Sequence, residues 1–218
     1  MAQRLIVEGN DGIALAVLCR KRRLPLPLGY EPENFKKFVI NSGGYTKALF
    51  VLKESLDDPT LTNIGIIVDA NDVGASARWQ TIRRILAEKY AETSLLQADQ
   101  QIGSKIVQEE NLPKIGVWIM PDNQSAGYLE HFLAGLIPEN DSLWIHATDT
   151  VKNLQQENFN ELTSAKIGKA YLHTWLAWKR EPGKPFGQAV DADYFDANAA
   201  SVQPFLDWFR LTFILNAL

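Results

Sequence analysis

The chain has 218 residues, of which 46% are hydrophobic and 22% are charged, and this composition excludes disordered and fibrous proteins. A formal net charge of -4 argues against a protein that coats nucleic acid or anionic membrane through bulk electrostatics, although a local basic path stays open. The single cysteine, Cys19, cannot form an intrachain disulfide and fits a reducing compartment. We find no membrane-length apolar run and no apolar segment after a basic start, so we expect a cytoplasmic protein without a membrane partner.

The apolar pattern predicts strands and helices that alternate through the first part of the chain. The clearest strand covers 64–68, reads IGIIV and closes at Asp69. Other strands are predicted at 4–8, 38–40 and 115–120, with a last short one at 143–147. Helices are predicted at 11–23, 45–56, 75–90 and 128–136. The segment 95–114 is compatible with a hairpin or with an irregular connection.

Toward the carboxyl terminus the pattern changes to helices, predicted at 151–159, 163–178 and 202–215. A Gly/Pro-rich stretch, EPGKPFGQAV, separates the last two. Aliphatic strands that alternate with helices predict an α/β fold, with a mainly parallel sheet covered by helices on both faces. We therefore predict an α/β core over 1–148 and a helical extension over 149–218 packed on it, or a single domain that includes both.

Carboxylate and amide side chains follow three of the predicted strands. Glu8 ends the first, Asp69 begins the run Asp-Ala-Asn-Asp, and Asp122 begins the turn after the strand at 115–120. Because the carboxyl ends of parallel strands share one edge of a sheet, where ligands bind in a crevice, we expect these side chains to converge. Mg²⁺ prefers such oxygen ligands, usually one or two carboxylates with water.

Helix capping is the alternative role for several of these residues. Asp, Asn and Ser are favoured at helix starts whatever the function, which covers Asp11, Asp72, Asn123 and Ser125. Glu8 fits this alternative least, because glutamate is a poor N-cap and follows an aliphatic strand directly.

The segments LIVEGNDG and IGIIVDAND resemble the TOPRIM fold of topoisomerases, bacterial primases, small ribosomal-RNA maturases and OLD-type nucleases. Those proteins pair a Glu-Gly after the first strand with an Asp-x-Asp after a later one. Further segments resemble a small bacterial family of TOPRIM-like proteins: VINSGGYTKALFVLKESL, VWIMPDNQSAGYLEHFL and SAKIGKAYLHTWLAWKREPGKPFGQAV. The resemblance implies a Rossmann-like TOPRIM core.

The resemblance also implies roles for five residues. Glu8 matches a glutamate that serves as a metal ligand or as general acid/base in phosphodiester cleavage, and Asp69 matches a metal-binding aspartate. Asn71 stands where the second aspartate belongs, and its amide brings no charge, so Mg²⁺ or Mn²⁺ affinity should fall unless Asp72 compensates. Glu130 resembles a further acidic residue of OLD-type nucleases, where two metals are held. Its alternative is a solvated position on an amphipathic helix.

The turn Ser42-Gly43-Gly44-Tyr45 resembles an anion-binding helix start, without the Lys and Ser/Thr spacing of a P-loop. Basic residues on the following helices are by default a solvated face, Arg78 among them. The residues predicted to contact a substrate are Gly9, Asp11, Gly43, Gly44, Lys47 and Asp122.

These features predict a Mg-dependent nuclease or phosphodiesterase acting on nucleic acid, with water as the attacking group because no tyrosine nucleophile domain is present. OLD-type nucleases carry an ATPase domain, so a separately encoded ATPase partner is expected, and a homo-oligomer stays open. The alternative is a TOPRIM-derived protein with weak or no catalysis that binds nucleic acid or a partner, favoured by the negative charge and by Asn71. Hydrolysis of a small phosphorylated metabolite is a third alternative.

Overall fold

A mixed, mainly parallel sheet forms the centre of the molecule. The computed structural model describes residues 2–9, 12–25, 29, 34, 37–157, 159, 161–163 and 166–214. In this part of the chain five strands pair in the order β2-β1-β3-β5-β4, and every pair is parallel except the antiparallel β4 and β5. The strands are β1 (Ala2–Val7), β2 (Val39–Asn41), β3 (Leu61–Asp69), β4 (Lys105–Val107) and β5 (Lys114–Met120).

Helices cover both faces of the sheet, which confirms the predicted α/β class with a helical carboxyl-terminal region. In the first half of the chain they are α1 (Gly12–Lys21), α2 (Tyr45–Leu56), α3 (Gly74–Leu86) and α4 (Glu92–Asp99). In the second half they are α5 (Leu129–Ala134), α6 (Ser142–Gln156), α7 (Ile167–Ala177), α8 (Phe186–Asp191) and α9 (Gln203–Phe213). None of these helices is long and apolar enough to cross a membrane, a finding that covers the described residues only.

The strands send alternate side chains to two separate apolar clusters, as the period of two in a β-strand requires. In β1, Leu5 and Val7 pack with α1 and the carboxyl-terminal helices, whereas Ile6 packs with α2 and α3 on the other face. Both faces of the central strands are therefore buried, which explains the aliphatic runs in their sequences.

Helix α9 packs directly against the sheet at two glycines. A Cβ atom placed on Gly65 of β3 would lie 2.5 Å from Phe213 Cζ, and one on Gly116 of β5 would lie 2.0 Å from Thr212 Oγ1. The missing side chains let the helix backbone approach the strands closely. The carboxyl-terminal helix thus completes the core of the sheet, while the predicted boundary at residue 148 stays a prediction.

The predicted strand at 143–147 is wrong, because this segment belongs to helix α6. The Asp141 side chain caps the helix by accepting a hydrogen bond of 2.7 Å from the Trp144 amide. The segment 95–114 contains the end of helix α4 and the short strand β4, and EPGKPFGQAV includes all of helix α8 except Asp191. Short apolar runs do not distinguish a strand from a buried helix, which accounts for the error at 143–147.

Candidate functional site

The strand order creates a topological switch point between β1 and β3. The connection from β1 to β2 runs through α1 on one face of the sheet, and the connection from β2 to β3 runs through α2 on the other. Neighbouring crossovers leave in opposite directions here, and in open α/β sheets ligands bind at the carboxyl ends of two such strands. Glu8 directly follows β1 and Asp69 ends β3, so the two acidic residues lie at the ends of the two strands that flank the switch point.

Glu8 is held by hydrogen bonds on both sides of its strand. Its amide donates to the Ile67 carbonyl at 3.0 Å, and its carbonyl accepts from the Gly44 amide at 2.7 Å. The half-buried carboxylate accepts a hydrogen bond of 3.0 Å from the Asp69 amide at Oε2. Among the described residues, none donates a hydrogen bond to Oε1. The Asp69 amide thus fixes one carboxylate oxygen of Glu8.

Asp69 connects three parts of the site. Its Oδ1 atom accepts a hydrogen bond of 3.2 Å from the Leu129 amide, at the start of α5, and its carbonyl accepts one of 3.1 Å from Arg78 Nε. A carboxylate is stabilised at the amino end of a helix, so this position has a structural use as well as a chemical one. The side chain is half-buried at the strand end.

Asn71 and Asp72 are placed differently from Asp69. Asn71 adopts a left-handed backbone (φ 50°), and its amide and carbonyl pair with Gly127 at 2.7 and 3.1 Å. The pairing draws the loop after β5 over the end of β3. Asp72 is exposed, and its charge acts on Tyr128. Burial raises the pKa of Tyr128, and the charges of Glu130 and Asp72 act in the same direction.

Glu130 is buried in the first turn of α5 and forms an ion pair with Lys169 of α7, with 3.3 Å between Oε1 and Nζ. Helix α7 comes this close because Gly168 has no side chain: a Cβ there would lie 2.5 Å from His131 Nε2. The prediction that Glu130 is a metal ligand is untested by this geometry, which shows that a lysine neutralises its charge.

The predicted substrate residues are spread around the same edge. Gly43 (φ 72°) and Gly44 (φ 136°) form the turn before α2, where positive φ favours glycine. Lys47 is exposed on the first turns of α2, and Gly9 follows Glu8. Asp122 is engaged in its own turn, where Oδ1 accepts from the Ser125 amide at 2.7 Å. Asp11 lies outside the described residues.

The capping alternative is wrong for Asp72, Asn123 and Ser125, because Val73 stands at the N-cap of α3 and Tyr128 at the N-cap of α5. The buried Asn123 side chain instead joins two backbone segments. Its Oδ1 accepts a hydrogen bond of 2.6 Å from the Ile119 amide, and its Nδ2 donates one of 3.1 Å to the Gly103 carbonyl. Burial acts to raise the pKa of Asp122, but hydrogen bonds from Ser125 and Gln124 outweigh it and lower the value.

Arg78 and Tyr45 form a pair that sequence patterns did not single out as functional. The guanidinium carbon lies 3.8 Å from the centroid of the Tyr45 ring, in cation–π contact. Since Nε also donates to the Asp69 carbonyl, the arginine is positioned from two sides beside the acidic pair. The only signal available in the sequence was its place in the helix that follows β3.

The donors at the switch point fit a divalent cation of the Mg²⁺ type, which proteins hold through one or two carboxylates with water in the remaining positions. The two carboxylates at the switch point are Glu8 and Asp69, and their role as metal ligands stays a prediction. The described residues contain no group of three or more His, Cys, Asp or Glu side chains suited to a metal ion. The larger predicted set with Asn71, Asp72 and Glu130 stays a prediction.

The fold and this edge define a doubly wound α/β protein with an acidic pair at its switch point. The chain belongs to the family described as protein of unknown function, DUF3226, whose sequence model matches residues 2–214. No curated protein and no solved structure matches the chain.

Proposed function

We propose that this protein is a Mg²⁺- or Mn²⁺-dependent phosphodiesterase that cleaves nucleic acid, with its site at the switch point between β1 and β3. The observation that carries the proposal is the junction of Glu8 and Asp69, where the Asp69 amide donates to Glu8 Oε2 at 3.0 Å. The TOPRIM resemblance of these two positions supports it.

In this proposal Asp69 and Glu8 would hold the cation through carboxylate oxygens. A divalent cation bound there would lower the pKa of water and stabilise the charge on the leaving oxygen. Glu8 Oε1 is the atom that takes up the proton of the attacking water. A water oxygen–phosphorus bond forms, the bond from phosphorus to the leaving oxygen breaks, and that oxygen takes a proton from solvent. Gly43 and Gly44 leave space at the start of α2 for the substrate backbone.

The test is cleavage of labelled single-stranded DNA, duplex DNA and RNA with Mg²⁺ or Mn²⁺. Glu8→Gln and Asp69→Asn should each abolish cleavage, because each removes a charge from the cation site. Glu139→Gln makes the same chemical change at an exposed residue between α5 and α6 and should leave cleavage intact. Equal cleavage by wild type and Glu8→Gln, or none by wild type on any substrate, would overturn the proposal.

A binding protein without turnover is the second candidate. Two observations favour it: Asn71 brings no charge, and Lys169 neutralises Glu130. This candidate predicts that wild type retains an oligonucleotide or a partner protein without cleaving it, and that Glu8→Gln binds equally well. A separately encoded ATPase is the partner that the OLD-type resemblance favours, and the single cysteine supports a reducing location such as the cytoplasm.

A further inference from the structure

We propose that Arg78 is the residue that binds the phosphate of the substrate, with Tyr45 as the residue that positions it. The inference rests on the proposed function, which it deepens by assigning an anion contact beside the cation site. Arg78 lies in α3, directly after the loop that leaves Asp69.

The geometry of Arg78 is that of an arginine prepared for a ligand. Nε is used in the 3.1 Å hydrogen bond to the Asp69 carbonyl, and the planar group stacks 3.8 Å from the Tyr45 ring centroid. No hydrogen bond joins Nη1 or Nη2 to any described residue. An arginine held in this way keeps a fork of donors that matches a phosphate or carboxylate group in two parallel hydrogen bonds.

The charges around Arg78 explain why the ligand would be a phosphate. Arg83, on the same helix, is neutralised by ion pairs with Glu92 and Asp99. Arg78 forms no ion pair with any described carboxylate, although the Asp69 peptide unit that it contacts also binds Glu8. If two carboxylates hold a cation there, the guanidinium would place a second positive group beside it for a phosphate, as phosphoryl-transfer sites commonly do.

Tyr45 holds the guanidinium through its ring and not through its hydroxyl. The hydroxyl is buried and makes no hydrogen bond within the described residues, nor does the Ser42 hydroxyl. The ring, at the first residue of α2, therefore has the clearer role: it fixes the plane of Arg78 next to the Gly43-Gly44 turn. Fixing that plane before binding reduces the rotamer entropy that a flexible arginine would lose.

The experiment measures binding of a fluorescent single-stranded oligonucleotide by anisotropy, in EDTA and again with Ca²⁺, so that cleavage is not required. Arg78→Gln should weaken binding about tenfold, since charge-assisted hydrogen bonds to phosphate are lost. The magnitude of the slope of log affinity against log salt concentration should fall by about 1, the value for one phosphate contact. Arg78→Lys keeps the charge but not the fork of donors, so its affinity should lie between those of wild type and Arg78→Gln.

Arg84→Gln is the matched control. Arg84 is exposed near the carboxyl end of α3, which points away from the strand ends that carry Glu8 and Asp69. It should alter binding less than about twofold, because charges beyond a Debye length are screened. Tyr45→Phe should retain wild-type affinity and Tyr45→Leu should lose part of it, which separates ring stacking from the hydroxyl.

Inorganic phosphate distinguishes the two sources of the anion. If it displaces the oligonucleotide from wild type and stabilises the free protein only when Arg78 is present, the site recognises phosphate as such. If phosphate displaces the oligonucleotide from wild type only at concentrations that also displace it from Arg78→Gln, the contact of Arg78 is with the polynucleotide backbone.

Failure of this inference is distinguishable from failure of the proposed function. If Glu8→Gln abolishes cleavage while Arg78→Gln and Arg84→Gln bind alike, the function stands and the role of Arg78 is overturned. If no substrate is cleaved but Arg78→Gln alone weakens binding, the role of Arg78 stands and the phosphodiesterase is overturned. A wild-type protein that binds neither oligonucleotide nor phosphate overturns the inference.

Discussion

The Asp69 amide donates a hydrogen bond of 3.0 Å to Glu8 Oε2, across the boundary between the two strands that flank the switch point. The bond fixes the direction of a carboxylate that follows an aliphatic strand, and it does so from the backbone of the residue that supplies the second carboxylate. Glu8→Gln therefore removes the charge but keeps a side-chain oxygen that can accept the hydrogen bond from the Asp69 amide.

The first prediction concerns affinity for a divalent cation. Titration calorimetry with Mn²⁺ should show binding by wild type that Glu8→Gln and Asp69→Asn each weaken about tenfold or more, because affinity follows the number of charged ligands. Glu130→Gln should weaken Mn²⁺ binding less, since Lys169 already neutralises the charge of the Glu130 carboxylate. Equal losses for Glu8→Gln and Glu130→Gln would instead support a two-metal site that includes Glu130.

The ion pair of Glu130 and Lys169 should contribute to stability. Lys169→Met leaves a buried carboxylate without its partner and should lower the free energy of unfolding by about 1–2 kcal/mol, a range reduced because Lys169 is partly exposed. Urea unfolding of both single variants and of Glu130→Gln/Lys169→Met completes a double-mutant cycle. The double variant should be more stable than the sum of the single losses predicts, and strict additivity would exclude a direct pair.

The contact between α9 and the sheet should tolerate no side chain at Gly116. Gly116→Ala places a methyl group against Thr212 and should cost about 1–3 kcal/mol through overpacking. Thr212→Ala in the same chain removes the two nearest atoms and should recover part of the loss. Gly135→Ala, just after α5, would place its Cβ 3.3 Å from the Phe132 carbonyl oxygen and should cost less than Gly116→Ala. Thermal or urea unfolding measures all four proteins.

Alkaline pH should weaken the native state. Burial raises the pKa of Cys19 from its ordinary 9.0 to about 12, and burial also raises the pKa of Tyr90. Both groups keep their protons in the folded protein after the unfolded chain has lost them, so stability is fully present below pH 9.0 and falls above it. Each such proton contributes a slope of about 1.4 kcal/mol per pH unit.

Urea unfolding between neutral pH and the alkaline range tests this relation. Cys19→Ala should lose some stability at neutral pH, where the cavity costs free energy, but should decline less steeply than wild type above pH 9.0. Parallel curves for the two proteins would show that the thiol does not contribute. Tyr90→Phe provides the corresponding comparison for the phenol, whose hydroxyl donates to the Pro113 carbonyl at 2.6 Å.

Much of the sheet could be predicted because its strands are aliphatic on both faces. Helix α2 was predicted with its observed bounds, and β5 within one residue. The segment 143–147 failed because helix α6 depends on a cap at Asp141 and on packing of Ala147 against distant helices. The apolar and polar pattern of these five residues cannot predict either contact.

The candidate site also has a part that could be predicted from the sequence and a part that could not. Glu8 and Asp69 could be placed together because strand ends of a parallel sheet share an edge. The side chains that contact this edge could not be predicted. Lys169 reaches Glu130 from a helix far along the chain, and the Arg78 side chain is positioned by the Asp69 carbonyl and the Tyr45 ring together. A basic residue on an amphipathic helix has no local pattern that separates a ligand contact from a solvated position.

The close seating of α9 on Gly65 and Gly116 also bears on how the chain is made. The five described strands all leave the ribosome before this helix does, and until residues 203–213 follow, the part of the face that Trp208 and Phe213 will occupy is apolar and uncovered. Synthesis therefore passes through a stage in which the nascent sheet is aggregation-prone and suited to a chaperone.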